Sequence, residues 1–314
     1  MTDSWEQGDR PLFSVCIPAY EDVGAFLRCL DSVCAQTLVN IEIIVSDDSR
    51  TEGIERAVAT WSDTRIRYRR NIPPLGAPTN WNAALRMSRG NRVTLLHQDD
   101  WYRNPNALAE INGRMDEYTA DVLISGRALY GENGCMGEYR LSTDAAKHFL
   151  SGFPSASLVA NRLGHPSVFF FSRQHLDIGY DERLLYFSDT DYYYRLLNTV
   201  KTVTVYREPV VGISWQRDSQ LSNAYITSPQ KALTELFLLH KKYSFTPFEQ
   251  GTSAARLCTA QARHWCQFPG TVLKTLRNGL APAAFVSVCV SMPFFLSFMI
   301  YRLLYRLVNQ KKWA

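Results

Sequence analysis

The chain has 314 residues, 46% hydrophobic and 20% charged, with 34 basic and 30 acidic side chains and a formal charge of +4. That size excludes both a minimal peptide scaffold and two large domains, and fits one catalytic-sized core with an appendage. The seven cysteines are odd in number and form no C-x-x-C pair, so they exclude a metal-ligating pair of that spacing and read as reduced core residues of a cytosol-facing protein.

Met1 to Pro11 is a polar lead, and no secretory signal is expected from it. Phe13 to Ile17 then reads as a short apolar strand ended by Pro18, and Val23 to Gln36 has helical spacing at Phe26, Leu27, Leu30, Val33 and Cys34. Ile41 to Ser46 is the next strand, followed by a helix over about Thr51 to Trp61 and a strand over Ile66 to Arg69. After the Pro-Pro-Leu-Gly loop at 73 to 76 come a helix over Thr79 to Ser88 and a strand over Arg92 to His97. Such alternation predicts an α/β fold, a mostly parallel central sheet with helices on both faces. In open sheets of this kind ligands bind beyond the carboxyl ends of the strands.

The acids fall at those ends. Asp47 and Asp48 close the second strand, Asp99 and Asp100 follow the run Val93 to Leu96, and Asp189 and Asp191 come later, so one pocket lined by three acidic clusters is expected. Adjacent carboxylates with no neighbouring base suit a divalent cation. No G-x-G-x-x-G and no Walker-type phosphate loop is present, which leaves a metal to carry phosphate charge.

The tail differs in character. From Gln250 to Ala314 there are eight basic residues and no acids, so residues 1–249 carry −4 and the whole basic excess lies in the tail. Asn278 to Tyr301 is uncharged for 24 residues, about 36 Å as a helix, long enough to cross a bilayer core. Pro282 and Pro293 interrupt it and basic residues flank both sides, which favours a kinked or re-entrant segment returning to the anionic cytosolic leaflet; the alternative is a helix buried against protein.

Six strings in order resemble glycosyltransferase family 2 of the GT-A fold: residues 14–21 (Ser-Val-Cys-Ile-Pro-Ala-Tyr-Glu), 43–49 (Ile-Ile-Val-Ser-Asp-Asp-Ser), Asn80-Trp81-Asn82, Leu96-His97-Gln98-Asp99-Asp100, Gly179-Tyr180-Asp181-Glu182, and Ser188-Asp189-Thr190-Asp191 with Arg195. The resemblance covers roughly residues 12–222. It implies a nucleotide-diphospho-sugar transferase fold in which Asp48 bonds the N3–H of a uracil or its counterpart, and Pro18, Tyr20 and Glu21 border base and ribose. Asp99 and Asp100 match the D-x-D position, Asp100 as ligand of Mg²⁺ or Mn²⁺ and Asp99 at the ribose or a metal-bound water. Asp189 matches the general base of an inverting displacement. Each has a plainer reading: Asp48 and Asp189 as helix caps, Pro18 as a strand terminator, Tyr20 as a packed ring, Asp99-Asp100 as a solvated turn.

Asp191 and Arg195 are spaced as a supporting i,i+4 pair. The chain departs from many relatives after the base helix, where Ser214 to Ser222 lacks a histidine and Trp215 or Arg217 falls near its place. The processive Q-x-x-R-W signature is absent too, which implies one sugar per encounter. His165 reads as a packed or capping residue, and Tyr192-Tyr193-Tyr194 as rings divided between core and cleft.

The resulting expectation divides the chain into the lead 1–11, a catalytic domain 12–225, C-terminal helices 226–270 and a membrane-associating segment 271–314. It describes a non-processive transferase at the cytoplasmic face of the cell membrane, moving one sugar from a nucleotide sugar to a saccharide acceptor such as a lipid-linked one. A transferase acting directly on polyprenyl phosphate and a non-catalytic membrane scaffold remain alternatives, and no nucleic-acid partner is expected.

Overall fold

The computed structural model describes residues 10–144, 158–159, 161–215, 228–265 and 269–291. These fall into two compact units. The first takes in the described residues of 1–151, 162–182 and 191–217, and the second those of 152–161, 183–190 and 218–314.

The first unit is built on a nine-stranded sheet: β1 (Phe13–Ala19), β2 (Ile41–Asp47), β3 (Ile66–Arg70), β4 (Arg92–Leu95), β5 (Trp101–Tyr102), β6 (Val122–Gly131), β7 (Gly134–Tyr139), β8 (Phe169–Ser172) and β9 (Val203–Ser214). Their order is β3-β2-β1-β4-β8-β6-β9-β5, with β7 paired to β6. The helices α1 (Val23–Cys34), α2 (Gly53–Ala59) and α3 (Ala77–Met87) connect β1 through β4, and α4 (Ala107–Glu117) follows β5. β1 and β2 are buried along their whole length, as strands lined on both faces must be. α1 buries Ala25, Phe26, Cys29, Leu30 and Val33, the stripe that its 3.6-residue period predicts, and Asp22 caps it by accepting from Ala25 N–H at 2.9 Å.

Two expectations need correction. The sheet is mixed rather than mostly parallel: β3-β2-β1-β4 is a parallel block, but β8 runs antiparallel to both β4 and β6, and β5 antiparallel to β9. Pro18 does not end β1, which continues to Ala19 opposite Asp47. The Ala19 carbonyl accepts from Asp48 N–H on the β2 side and the Cys16 carbonyl from Leu96 N–H on the β4 side. Alternate residues therefore face alternate neighbours. Pro18 faces β4 beyond its last pair, Cys16 with Leu95, where the ladder needs no donor.

Not every buried acid lies at the carboxyl edge. Glu42, 5% exposed near the start of β2, accepts from Ser14 Oγ at 2.5 Å and from the Arg89 and Gly90 N–H groups, and pairs with Arg67 at 2.7 Å. It ties β1, β2, β3 and the turn after α3 together.

The second unit is helical, with helices Pro229–Lys242, Pro247–Ala260, Pro269–Gly279 and Pro282–Ser291 and the single turn Ala262–Trp265. Thr246 and Glu249 form a reciprocal capping box at the start of Pro247–Ala260. Leu233, Leu236, Leu257, Trp265, Val272, Leu276, Leu280 and Val288 are buried. Of the expected membrane segment, the described part is the end of one helix at Gly279 and a second helix from Pro282 to Ser291. No helix among the described residues is long and apolar enough to cross a membrane. Residues 292–314 and Arg217 lie outside the described residues.

Glu42→Ala removes the carboxylate that Arg67 and the Arg89 and Gly90 N–H groups share, leaving them only the Met87 carbonyl and Ser14 Oγ, and is expected to cost about 1–3 kcal/mol. A fall of the denaturation midpoint checks it; an unchanged midpoint would show that the network carries no stability.

Candidate active site

The parallel register brings three chain ends level. Ala19 lies opposite Asp47, and Cys16 opposite both Ile44 and Leu95, so Tyr20-Glu21, Asp48-Ser49 and His97 to Asp100 emerge at one edge. Side chains knit these loops together. Gln98 Nε2 donates to the Tyr20 carbonyl at 2.8 Å and Gln98 Oε1 accepts from Tyr20 N–H at 2.7 Å, a two-bond clamp that leaves the Tyr20 ring 48% exposed. Glu21, at φ 56°, accepts from Arg50 N–H at 2.8 Å and Thr51 Oγ at 2.6 Å, and the Thr51 bond holds its carboxyl below the ordinary range.

Asp48 is buried and does not cap α2, whose preceding residue Glu52 makes no side-chain cap. Its carboxylate accepts from Leu75 and Gly76 N–H at 2.6 and 2.8 Å and from Asn71 Nδ2 at 3.3 Å. Asp48 thus shapes the loop leading into α3. Asp47 is also buried and is committed to Ser49 N–H and the Tyr68 hydroxyl.

The antiparallel half supplies what holds Asp100. β8 pairs Phe170 with Thr94, and the same register carried on places Ser167 opposite His97; β5 pairs Trp101 with Gly212, placing Asp100 beside the end of β9. Ser167 Oγ donates to Asp100 Oδ2 at 2.5 Å and Ser214 N–H to Oδ1 at 3.3 Å. Arg28, its guanidinium 4.4 Å from the Trp101 ring centre, donates to the Asp99 carbonyl at 2.9 Å and to Ser214 Oγ at 3.0 Å. It fixes the turn without pairing with either carboxylate.

Asp100 is 2% exposed, and burial, followed by repulsion from Asp99, raises its carboxyl well above the ordinary value. Burial lowers His97, which keeps the imidazole neutral. His97, Asp99 and Asp100 each offer a ligand atom within 4.8 Å of the others, and among the described residues His97 Nε2 is buried without a partner. Two hard oxygen donors and one neutral nitrogen around a shared point fit a divalent cation.

The string Asn80-Trp81-Asn82 has three tasks from one turn of α3. Asn80 accepts from Asn71, which also bonds Asp48. The Trp81 ring lies 5.0 Å from His97 and 5.1 Å from Tyr180. Asn82 accepts from Tyr180 N–H and donates to the Tyr180 carbonyl and Glu182, fixing the Gly179–Glu182 string.

Asp191 and Arg195 form the expected pair at 2.8 Å; Asp191 is fully buried and Arg195 also bonds the Ile178 and Gly179 carbonyls. Tyr192 and Tyr193 are both core, stacked on Tyr180 and Phe169. His165 is edge-on to Trp215 at 6.2 Å, and burial pushes it down to about 3. Of Gly164-His165-Pro166-Ser167, it is Ser167 that touches the acidic turn.

Asp189 belongs to the second unit, in the first turn of the helix Ser188–Thr199. Its one side-chain partner among the described residues is Ser188 Oγ at 3.5 Å, and burial pushes its carboxyl up to about 7. Within that unit, buried Glu235 accepts from the N–H groups of Leu185, Tyr186 and Phe187 at 3.0, 2.8 and 3.2 Å, fixing the approach to Asp189. Glu235 gives no signal in the sequence, where it reads as an ordinary polar position of a helix.

The family model described as Glycosyl transferase family 2 matches residues 14–175. Over 91 residues the chain is 33% identical to the Escherichia coli UDP-Glc:alpha-D-GlcNAc-diphosphoundecaprenol beta-1,3-glucosyltransferase WfaP, a match covering 29% of this chain and 36% of that enzyme. Among eight curated relatives, the matched stretch spans between 19% and 66% of their own length. Staphylococcus aureus TarS in complex with UDP-GlcNAc aligns at TM-score 0.58 and 17% identity, over 91% of this chain and 81% of that one. The mannosyltransferase PcManGT from Pyrobaculum calidifontis, in complex with GDP-Man and Mn²⁺, aligns at 0.55 and 16%, over 96% and 88%. At such identities the structures establish the fold.

A carboxyl raised to about 7 favours the folded state while it keeps its proton and disfavours it once ionised. Stability from Asp189 is present below the ordinary carboxylate range and is lost as pH rises toward 7. Asp189→Asn, neutral at every pH, should therefore raise the melting temperature at pH 8 more than at pH 4. An equal effect at both would show that Asp189 titrates normally.

Proposed function

This chain belongs to glycosyl transferase family 2 and is a glycosyltransferase; from that premise we propose that it moves one sugar, with inversion, from a UDP-sugar to an acceptor hydroxyl in a reaction that needs a divalent cation. The observation that carries this reading is the Asp99-Asp100 pair. Of two adjacent carboxylates, Asp100 is buried and held by neutral donors, and neither has a basic side chain paired to it among the described residues. Such a pair is unfavourable until a cation arrives.

Asp100 and Asp99 would hold Mg²⁺ or Mn²⁺. The bound cation supplies positive charge against the nucleoside diphosphate as leaving group. Asp48, with Pro18, Tyr20 and Glu21, receives base and ribose: Pro18 and Asp48 are buried in rigid strand ends, while the exposed Tyr20 ring offers a stacking face. Asp189 takes the proton of the acceptor hydroxyl. A base ionising near 7 is present in both forms at neutral pH and exchanges a proton readily, which suits that task. Asp191 and Arg195 act by holding the Gly179–Tyr180 turn, and Arg217 is a further candidate for the diphosphate.

The acceptor reading is a lipid-linked saccharide in surface-polysaccharide assembly, with the protein at the cytoplasmic face of the membrane. It is supported by the charge-free run with basic flanks and by the diphosphoundecaprenol acceptor in the name of one relative. Leu276, Leu280 and Val288 are buried in the second unit, so a test of the tail should spare them. Truncation after Ser291 is expected to abolish binding to vesicles of anionic phospholipid while the melting temperature holds; full binding by the truncated chain would sink the membrane reading.

The donor reading is tested by titrating the protein with UDP, GDP, TDP and CDP, in Mn²⁺ or in chelator. Selection of UDP in Mn²⁺, lost in chelator and in Asp100→Ala, is expected. Nucleotide binding that ignores both metal and Asp100 would overturn it.

A further inference from the structure

We infer that His97 is a nitrogen ligand of the divalent cation, a third donor beside Asp99 and Asp100, and that it biases the site against Mg²⁺. This inference rests on the donor-site reading above and deepens it.

His97 carries an unmet hydrogen-bonding group. His97 Nε2 is buried and has no partner among the described residues, and a buried polar atom left so calls for an occupant. Its backbone and its ring face are engaged. Its N–H donates to Ser167 Oγ at 3.1 Å, its carbonyl accepts from Asp100 N–H at 2.9 Å, and its ring packs on Trp81 at 5.0 Å and a 36° tilt. The ring is thus oriented by packing and by its backbone. Among the described residues nothing claims Nε2.

What lies in reach is the pair of carboxylates. The ligand atoms of His97, Asp99 and Asp100 sit within 4.8 Å of one another. Donors around a six-coordinate cation lie about 3–4.5 Å apart, so a small adjustment closes the set. Asp100 is held in place by Ser167 and Ser214, and Ser167 also anchors the His97 backbone, so two of the donors share one support. Placing a ligand's orientation under such outer contacts is the usual construction of a metal site.

The consequence is selectivity. Magnesium takes oxygen ligands and gives up its waters reluctantly, whereas transition metals accept imidazole. A His-Asp-Asp set therefore favours Mn²⁺ or a later metal over Mg²⁺, and replacing the imidazole by a carboxylate should reverse the preference.

The test uses the full chain with Mn²⁺ as probe, alone and with UDP, and reads the pulsed-EPR modulation from nitrogen bound directly to the metal. Wild-type protein should show nitrogen coupling. His97→Asp should bind Mn²⁺ without it and gain Mg²⁺ affinity relative to Mn²⁺, and His97→Gln should weaken Mn²⁺ binding about 10-fold or more. Having the two variants guards against one that misfolds, which circular dichroism detects. Mn²⁺ that depends on Asp100 but shows no nitrogen coupling, or coupling that survives both substitutions, overturns the role of His97 and leaves the donor site standing. Loss of metal-free UDP affinity in His97→Gln, again without coupling, places Nε2 on the diphosphate and also overturns it. Absence of any Asp100-dependent Mn²⁺ binding brings down the inference and the donor-site reading together.

Discussion

The first unit is organised around negative charge gathered at one sheet edge and, among the described residues, held by neutral donors rather than basic side chains. The parallel ladder forces this: with Ala19 level with Asp47 and Cys16 level with Leu95, the acids following β1, β2 and β4 emerge together. Repulsion among them is relieved by distributing neutral donors. Asp48 takes two backbone N–H groups from the loop before α3, Glu21 takes one from Arg50, and Asp100 takes a serine hydroxyl and a serine N–H. Hydrogen bonds of this kind lower the energy of an anion without cancelling its charge, so the edge still attracts a cation.

This makes sense of a sheet that changes direction halfway. A wholly parallel sheet would return the chain at the far edge after each strand. Here β8 comes back antiparallel beside β4 and brings Ser167 to His97, and the short β5 turns antiparallel onto β9 and brings Ser214 to Asp100. The parallel block presents the acids, and the antiparallel strands bring the groups that hold them. Helix α3 binds the arrangement from below, since Asn80, Trp81 and Asn82 reach the Asp48 loop, the His97 ring and the Gly179–Glu182 string respectively.

Much of the parallel block was legible in the sequence. Its apolar runs and helical stripes place β1 to β4 and α1 to α3 within about two residues for most ends, because local periodicity and burial coincide there. The strands beyond that block were not, and the reasons are physical. β5 has two residues, β8 is a four-residue aromatic run, and β9 contains Pro209 beside a register shift against β6. None of these offers a period to count, and their pairing is set by partners distant in sequence. The acids at the edge were legible as candidates. Ser167, Ser214, Arg28 and Gln98 were not, since a serine or glutamine gains significance only from what faces it across the sheet.

Partnership separates the acids better than burial does. Glu42, Asp48, Asp100 and Asp191 are all buried, and sequence context alone does not rank them. Glu42 and Asp191 are paired with Arg67 and Arg195, so their charge is already answered and their work is to join strands or hold a turn. Asp48 and Asp100 are satisfied by neutral donors, and Asp189 bonds a serine, its one side-chain partner among the described residues. An acid whose desolvation is offset by a fixed arginine has little left to offer a ligand; one held in place by N–H and O–H groups has no fixed counter-charge and remains open to a cation or a proton. On that criterion the three acids with neutral partners are the ones to which the family resemblance gives work at the substrate, while Glu42 and Asp191 join strands and hold a turn within the first unit.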